Sequence, residues 1–298
     1  ALPPGHLGIW ERGDWQTMAY WEPSYAPELP LSYPQLVEHT RAALQLSVQS
    51  HLIADVPVGL FLSGGLDSSA VLALAGPGLT TLSIGFEEKA FDESTLAAQL
   101  AQRFGARHQP LVLRRQEAWR QLPGFLAALD QPSIDGFNTY CVSALAAQLG
   151  LKVVMSGLGG DELFGGYPSF RRLPRWLRWR RRLGPLAPLA ARLARRRGSG
   201  SAFRLEQLLD GPPLLSAAHG CLRGVFSSVE VNRLLRHWGL DPVAADPEVG
   251  LSAVDVDGDH QRFPTIADGI AWLESSAYMG DMLLRDSDAL SMAHGLEL

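Results

Sequence analysis

The sequence predicts an α/β protein in which a parallel sheet is covered by helices on both faces and is followed by a mostly helical region. Up to residue 155, short apolar runs bounded by glycine or proline alternate with segments of helical periodicity, as in strand–helix–strand units. Glycine-rich segments directly follow two of these runs. Because ligands of such sheets bind at the carboxyl ends of strands, these two segments are where we expect a site.

The elements are predicted in order from periodicity and from breakers. Residues 1–35 are rich in Pro, Trp and Tyr and indicate irregular structure or a short hairpin. Asp92 is a candidate cap for a helix in which Leu96, Leu100 and Phe104 share one face, and Gly105 ends it. Strands are predicted at 56–62, 80–86, 108–113 and 151–155, and helices at 33–54, 68–75, 92–104, 138–149 and 263–298.

Composition limits the class of protein. Hydrophobic residues make up 46% and charged residues 19% of the 298 residues, which supports a sizeable core and excludes intrinsic disorder. The net charge of -5 does not favour nucleic-acid binding, and Gly76-Pro77-Gly78 interrupts the uncharged stretch 68–86, so no membrane span is expected. Cys141 and Cys221 form neither a disulfide framework nor a metal motif, so we expect a reducing, cytoplasmic location and a core position for both thiols.

The strongest motif is Ser63-Gly64-Gly65-Leu66-Asp67-Ser68-Ser69, between a predicted strand and a predicted helix. The glycines let the backbone approach a ligand, and the amides of the loop and of the helix start favour an anion. Asp67 stands among these donors, a poor place for a carboxylate unless a cation bridges it to bound phosphates. No Walker A pattern is present. The alternative is a tight strand–helix turn without a ligand.

A second glycine-rich segment, Ser156-Gly157-Leu158-Gly159-Gly160-Asp161-Glu162-Leu163-Phe164-Gly165-Gly166-Tyr167, follows the predicted strand at 151–155. Asp161 places a second acid, besides Asp67, at a neighbouring strand end, and Mg²⁺ binds carboxylate and phosphate oxygens. The alternative is that Asp161 caps a helix and Glu162 is an acid of its first turn, which is favourable for an acidic side chain in its own right.

These motifs carry a resemblance. The segment 63–69 resembles the pyrophosphate loop of the PP-loop ATP pyrophosphatases, which have a Rossmann-like fold. The segment 156–167 resembles the matching stretch of glutamine-dependent asparagine synthetases, as do Phe91-Asp92-Glu93-Ser94 and residues 288–297. The four motifs occur in the family's order between residues 56 and 298, so the chain is identified as resembling that family's synthetase domain.

The resemblance implies an activity and a set of roles. Such an enzyme adenylates a carboxylate, here expected to be aspartate giving β-aspartyl-AMP, transfers ammonia from glutamine, and releases AMP and pyrophosphate. Asp67, Asp161 and Glu162 are then the catalytic candidates, with Asp67 and Asp161 holding Mg²⁺. The implied ATP-binding residues are Leu62, Ser63, Gly64, Gly65, Asp67, Ser68, Ser69, Ile84, Ser156 and Gly157.

Two departures from the family pattern keep alternatives open. Leu158 stands where the family has a glutamate implicated in forming the adenylate and accepting a proton from ammonia, and Glu162 or Asp135 are substitutes for it. The family's lysine downstream of the Ser-Met motif is not matched by Lys89 or Lys152, so we expect it beyond residue 298. The alternatives are a related adenylating amidotransferase or cyclase of the β-lactam or macrocycle type, and an ATP-binding module without turnover.

The resemblance also implies a division of the chain. Residues 1–30 are expected to be the end of a preceding glutaminase domain and its linker, 31–170 the PP-loop domain, and 171–298 a helical region truncated at its end. The isolated fragment is then expected to be inactive. Small-molecule substrates, a homodimer, and neither membrane nor nucleic acid are the expected partners.

Several other features have two interpretations each. The arginine-rich stretch 171–197 fits binding to RNA or to an anionic membrane, but the overall acidity favours an amphipathic surface helix. For His108 and His294 we expect structural hydrogen bonds. Asp130 and Asp135 flank Pro132 before a helix and serve either the turn or a second substrate.

Overall fold

The computed structural model describes the whole chain except residues 1, 3, 26–29, 87–92, 197–199 and 242–255. It contains two compact units. One, the sheet unit, comprises Pro30–Asp161 and Asp281–Leu298, and the other, the helical unit, comprises Ala1–Leu29 and Glu162–Gly280. The last 18 residues belong to the sheet unit, where they pack and pair. The predicted division into domains at residues 30/31 and 170/171 stays a prediction.

The strands and helices follow the order expected from the sequence, with additions. The strands are β1 (His6–Glu11), β2 (Asp14–Ala19), β3 (Val58–Phe61), β4 (Thr80–Phe86), β5 (Arg107–Leu113) and β6 (Val153–Met155). The helices of the sheet unit are α1 (Tyr33–His51), α2 (Leu66–Ala75), α3 (Ser94–Arg103), α4 (Arg115–Ala128) and α5 (Gly136–Gln148). The short α6 (Gly160–Phe164) follows. The helical unit contains α7 (Ser169–Leu183), α8 (Ala187–Arg195), α9 (Gly200–Asp210), α10 (Leu215–Arg223), α11 (Ser228–His237) and α12 (Ile266–Leu273). A π-helical stretch, Glu274–Leu284, leads to α13 (Arg285–Met292).

Strands β3 to β6 form one parallel sheet in the order β5-β4-β3-β6. The chain runs outward from β3 through β4 to β5 and then returns to the other side of β3 with β6. The strand order therefore reverses between β3 and β6, and in open α/β sheets this switch point is where ligands bind.

Helices cover both faces of the sheet, which confirms the predicted fold class. On one face Leu60 and Leu62 pack with Leu72 of α2 and with Ala97 and Ala101 of α3. The core of the other face is built from α5, neighbouring strands and the chain's last residues: Leu82, Val142, Ala146, Leu151, Val154 and Leu296. Consecutive strand residues Leu60, Phe61 and Leu62 alternate between these two clusters, as strand geometry requires.

Two predictions for individual elements are corrected, and a third falls outside the described residues. Helix α4 was not expected, because Pro123-Gly124 is a breaker pair; its partner contacts, Phe125 against Phe137 and Tyr140 of α5, stabilise it. The predicted helix 263–298 ends at Met292, because Gly295 adopts a left-handed φ of 65° and the chain then extends. Asp92, the predicted cap of α3, lies outside the described residues.

The helical unit begins with an antiparallel hairpin, β1 and β2, one of the two forms expected for this segment. Its main core joins α7, α9, α10 and α12 through Leu173, Leu177, Leu208, Leu215, Ala218, Cys221, Ile270 and Leu273. Helix α7 buries Leu173 and Leu177 while most of its arginines are exposed, as expected for an amphipathic surface helix. In the part of the chain that is described, no helix has both the length and the apolarity needed to cross a membrane.

Candidate active site at the switch point

The loop after β3 is held in shape by its own hydroxyl groups. Leu62 continues the strand, its N–H donating to the Leu82 carbonyl at 2.7 Å. The Ser68 hydroxyl accepts from the Ser63 N–H at 3.2 Å and lies 2.9 Å from the Ser63 hydroxyl. Ser69 donates to the Gly65 carbonyl at 2.6 Å, where α2 begins. The serines thus fix the turn, and the N–H groups of the first turn of α2 have no acceptors within their own helix.

The loop after β6 packs directly on this turn. A Cβ added to Gly157 would lie 2.7 Å from the Ser68 nitrogen, and one added to Gly160 would lie 2.6 Å from both carboxylate oxygens of Asp67. Only glycine permits such close approach, so the second glycine-rich segment is needed to bring its backbone against the first. The two segments that the sequence indicated are therefore one site.

A cavity of about 500 Å³ opens between the two loops, within the range of small-molecule sites. It is lined by these predicted nucleotide-binding residues: Leu62, Ser63, Gly65, Asp67, Ser68, Ile84, Ser156 and Gly157. Gly64 and Ser69 belong to the same turn but do not line the cavity, and Glu162 does not line it either.

Sequence reasoning assigned no role to several other lining residues. Asn138 and Thr139, in the first turn of α5, bring polar side chains to the cavity, and Ser83 of β4 and Glu93 before α3 also line it. A signal existed for Asn138 and Thr139, because the sequence predicts that a helix starts at residue 138. No sequence signal indicated Ser83, because this residue lies within an apolar strand pattern.

The two predicted metal ligands both line the cavity. Burial, and next the Asp161 charge, raise the pKa of Asp67, although the Asp161 N–H donates a hydrogen bond to it. The two carboxylates thus repel each other, a situation that a bound cation relieves. Among the described residues no group of three or more His, Cys, Asp or Glu side chains is arranged for a metal. Two carboxylates nevertheless fit Mg²⁺, which commonly binds proteins through one or two carboxylates and completes its shell with phosphate and water.

Glu162, the third catalytic candidate, is 1% exposed. Its carboxylate accepts a hydrogen bond from the Tyr167 hydroxyl at 2.8 Å. Both residues belong to the helical unit. This contact gives Glu162 a structural function, and its catalytic role stays a prediction.

Glu93 reaches the loop after β3. Its Oε2 accepts a hydrogen bond from the Gly64 N–H at 3.0 Å. Phe91 and Asp92 of the same motif lie outside the described residues. A loop amide that the sequence assigned to phosphate therefore donates to a carboxylate of the protein.

Of the remaining candidates, His108 and Asp130 contact other side chains, whereas the side chain of Asp135 makes no capping hydrogen bond to α5. His108 lies 3.0 Å from the Thr81 hydroxyl and 3.2 Å from the Ser83 hydroxyl, and burial lowers its pKa. Asp130 pairs with Arg285 at 2.8 Å, and Asp135 occupies the N-cap position of α5.

Four further candidates that the structure describes, His294, Cys141, Cys221 and Lys152, do not line the cavity. The His294 ring lies 4.4 Å from that of Tyr140, Cys141 and Cys221 are buried free thiols, and Lys152 is exposed beside β6. Lys89 lies outside the described residues.

Known proteins resemble the chain along most of its length. A protein-family model described as asparagine synthase matches residues 39–298. The "Putative asparagine synthetase (glutamine-hydrolyzing)" of Mycobacterium bovis is 35% identical over 269 residues, which cover 86% of this chain and 39% of that protein. The "Asparagine synthetase (glutamine-hydrolyzing) 1" of Bacillus subtilis is 36% identical over 174 residues, 57% of this chain and 27% of that protein. The chain thus spans less than two fifths of the length of each relative.

Proposed function

The chain belongs to the asparagine synthase family, and from this premise we propose that it forms the nucleotide-binding, carboxylate-activating part of an ATP-dependent amide-forming ligase. The substrate best supported is aspartate, with ammonia derived from glutamine, because the relatives' names describe glutamine-hydrolysing asparagine synthetases. The observation that carries the proposal is the cavity at the switch point, which both glycine-rich loops line together with Asp67 and Asp161.

The chemistry explains why such a site is needed. A carboxylate is a poor acyl donor, because its leaving group would be oxide. When a carboxylate oxygen attacks the α-phosphorus of ATP, the bond to the β-phosphate breaks and pyrophosphate leaves. Ammonia then attacks the acyl carbon of the mixed anhydride, and AMP departs. The site has to stabilise negative charge on the leaving pyrophosphate and at the α-phosphate.

The residues of this chain have distinct roles in the proposal. The amides of the loop 63–69 and of the start of α2 hold the terminal phosphates. Asp67 and Asp161 hold Mg²⁺, which when bound neutralises charge on the leaving group. Leu62 and Ile84 border the base, and the backbone of Ser156 and Gly157 contacts the AMP part.

The wider setting is proposed on the same basis. We expect a glutaminase domain before the chain and a phosphate-binding lysine after it, because the chain spans so little of its relatives. A cytoplasmic location and a homodimer belong to the same proposal.

Burial raises the pKa of Cys141 to about 12 and of Cys221 to about 11, so both thiols stay protonated and unreactive in the fold.

The test is the identity of the nucleotide products. The complete protein, given aspartate, Mg²⁺, ATP and either glutamine or ammonia, should release AMP and pyrophosphate in amounts equal to asparagine. Asp67→Asn should abolish this release while Glu38→Asn, on the exposed surface of α1, should not. Formation of ADP and orthophosphate would exclude an acyl-adenylate.

Leu158 supports a second candidate. Its side chain lines the cavity and is 41% exposed, so the position that carries a glutamate in the resembled family presents an apolar group to the substrate space. An adenylating cyclase or amidotransferase with a different carboxylate fits this surface. Pyrophosphate exchange into ATP with another acid, and none with aspartate, would favour it. Nucleotide binding without any exchange would instead identify an ATP-binding module.

A further inference from the structure

Glu93 occupies an unusual place for the residue before a helix. It stands at the N-cap position of α3, yet its side chain makes no capping hydrogen bond to that helix. The carboxylate instead accepts from the Gly64 N–H, 29 residues earlier in the chain. The Glu93 carbonyl accepts from the Ala97 N–H at 3.0 Å in α3, so the backbone serves the helix while the side chain serves the loop after β3.

The contact is closely packed. A Cβ on Gly64 would lie 3.3 Å from the Glu93 Oε2 and 3.0 Å from the Leu96 Cδ2. The start of α3 therefore lies against loop position 64, and Glu93 also lines the cavity. The Glu93 carboxylate is thus held at the phosphate-binding loop, on a residue that is otherwise exposed.

The chemistry of this contact is competitive. A carboxylate oxygen and a phosphate oxygen both accept from an amide, and the Gly64 N–H has one hydrogen to donate. Asp67 and Asp161 add two further acids to the described lining, which includes no Lys or Arg. A polyphosphate entering alone meets three carboxylates, whereas one entering with a divalent cation carries the charge that offsets them.

We propose that Glu93 is a specificity-determining residue that makes the loop accept a polyphosphate only together with a divalent cation, by competing with the phosphate for the Gly64 N–H. This inference rests on the proposed function, because it takes the cavity to be the nucleotide site. The inference goes beyond the proposed function in one respect: Glu93 would disfavour the binding of nucleotide without a metal ion.

The experiment measures the binding of inorganic pyrophosphate and of ATP to the complete protein by calorimetry, once in EDTA and once in excess Mg²⁺. Glu93→Ala frees the amide and removes the charge. We expect its Kd for pyrophosphate in EDTA to fall about tenfold, the size of one charge-assisted hydrogen bond, and to change less than about threefold in Mg²⁺. Glu93→Gln keeps an acceptor oxygen without the charge, so its Kd for pyrophosphate in EDTA should lie between those of the parent protein and of Glu93→Ala.

The control is Glu38→Gln, which removes one negative charge from the exposed surface of α1 and should bind like the parent protein in both buffers. Unchanged or weaker metal-free binding by folded Glu93→Ala and Glu93→Gln would overturn the inference, while tight binding by the parent in Mg²⁺ would leave the proposed function standing. If neither the parent nor any variant bound pyrophosphate or ATP in either buffer, the proposed function would fail, and the inference with it.

Discussion

Gly157 makes the closest backbone approach between the two loops of the site. A methyl group there would lie 2.7 Å from the Ser68 nitrogen and 3.1 Å from its Cα, and neither atom can rotate away. We expect Gly157→Ala to lower ATP-dependent pyrophosphate release at least about tenfold and the free energy of unfolding by about 1–3 kcal/mol, the usual effect of overpacking.

The matched control for this change is Gly220→Ala in α10. A Cβ on Gly220 meets nothing within 4 Å, and alanine favours a helix by roughly 0.5–1 kcal/mol over glycine. Activity should be unchanged and stability equal or higher. Similar losses in both variants would show that the contact at Ser68 is unimportant.

Asp67 gives a prediction about pH. Burial and the Asp161 charge raise its pKa, so the folded protein holds this proton to higher pH than the unfolded chain, where the ordinary value is 3.8. Stability therefore falls as the pH rises through these values and stays lower above them. We expect Asp67→Asn to raise the Tm at pH 7 in EDTA, with the gain disappearing as the pH approaches 3.8 and below.

The same Tm measurement is repeated with Mg²⁺ in place of EDTA. Mg²⁺ should raise the Tm of the parent protein and leave the Tm of Asp67→Asn nearly unchanged, because the variant lacks one of the two proposed ligands. A Tm of Asp67→Asn at pH 7 in EDTA that is below the parent value would contradict the electrostatic account.

At this residue scale, the sequence indicated the two loops, because glycines that directly follow strands and an acid among amide donors are typical of a phosphate site with a bound cation. The roles of Gly157 and Asp161 were implied by the family resemblance and stay predictions, and the structure adds that both residues line the same cavity as Asp67. Glu93's contact with Gly64 could not be predicted, because it joins residues 29 positions apart.

At the scale of elements, β6 depends on the end of the chain. Its Val154 N–H donates to the Glu297 carbonyl at 2.8 Å, and the Glu297 N–H donates to the Lys152 carbonyl at 2.9 Å. Leu296 is fully buried in the core on the α5 side of the sheet. The last residues thus support the strand that precedes the second glycine-rich loop.

We expect Leu296→Ala to lower the free energy of unfolding in urea by about 2–5 kcal/mol, because it leaves a cavity in this core. Met292→Ala, on a side chain that is 55% exposed, should change it by no more than about 0.5 kcal/mol. A loss below about 1 kcal/mol for Leu296→Ala would mean that these residues are only loosely attached.

Elements with one dominant period were predicted well, and elements that depend on partners were not. Strand β4 has the predicted bounds, and α1 begins at the predicted residue, Tyr33. Helix α4 contains Pro123 and is stabilised by aromatic contacts with α5, so its own sequence argues against it. The end of α13 was missed because a single glycine outweighs the apolar pattern around it.

At the scale of the whole molecule, the fully buried carboxylate of Glu274 connects distant parts of the helical unit. It pairs with Arg223 at 2.6 Å and lies 3.5 Å from the His219 Nε2. Arg223 in turn lies between the rings of Tyr167 and Tyr278. Burial raises the pKa of Glu274, but the interactions with His219, Ser169 and Arg223 outweigh it and hold the pKa below the usual value.

A carboxylate with a lowered pKa stabilises the fold at neutral pH, and this stabilisation is lost as the pH falls below the ordinary value of 4.5 and through the folded value. We expect Glu274→Gln to lower the free energy of unfolding at pH 7 by about 3–5 kcal/mol, because Arg223 loses its buried counter-charge. The difference from the parent should shrink under acid conditions in urea titrations. A constant difference between pH 7 and pH 3 would contradict this role.

The sequence by itself determined the α/β class, the two loops of the site and the family. These follow from strand periodicity, glycine spacing and the order of four short motifs, all of which act within a few residues. Only the tertiary structure decided that Glu93 accepts a hydrogen bond from the Gly64 N–H and that Glu162 accepts one from the Tyr167 hydroxyl. It also decided that the last residues extend the sheet. Such contacts depend on which surfaces meet when the cores pack, and no local pattern in a single chain records that.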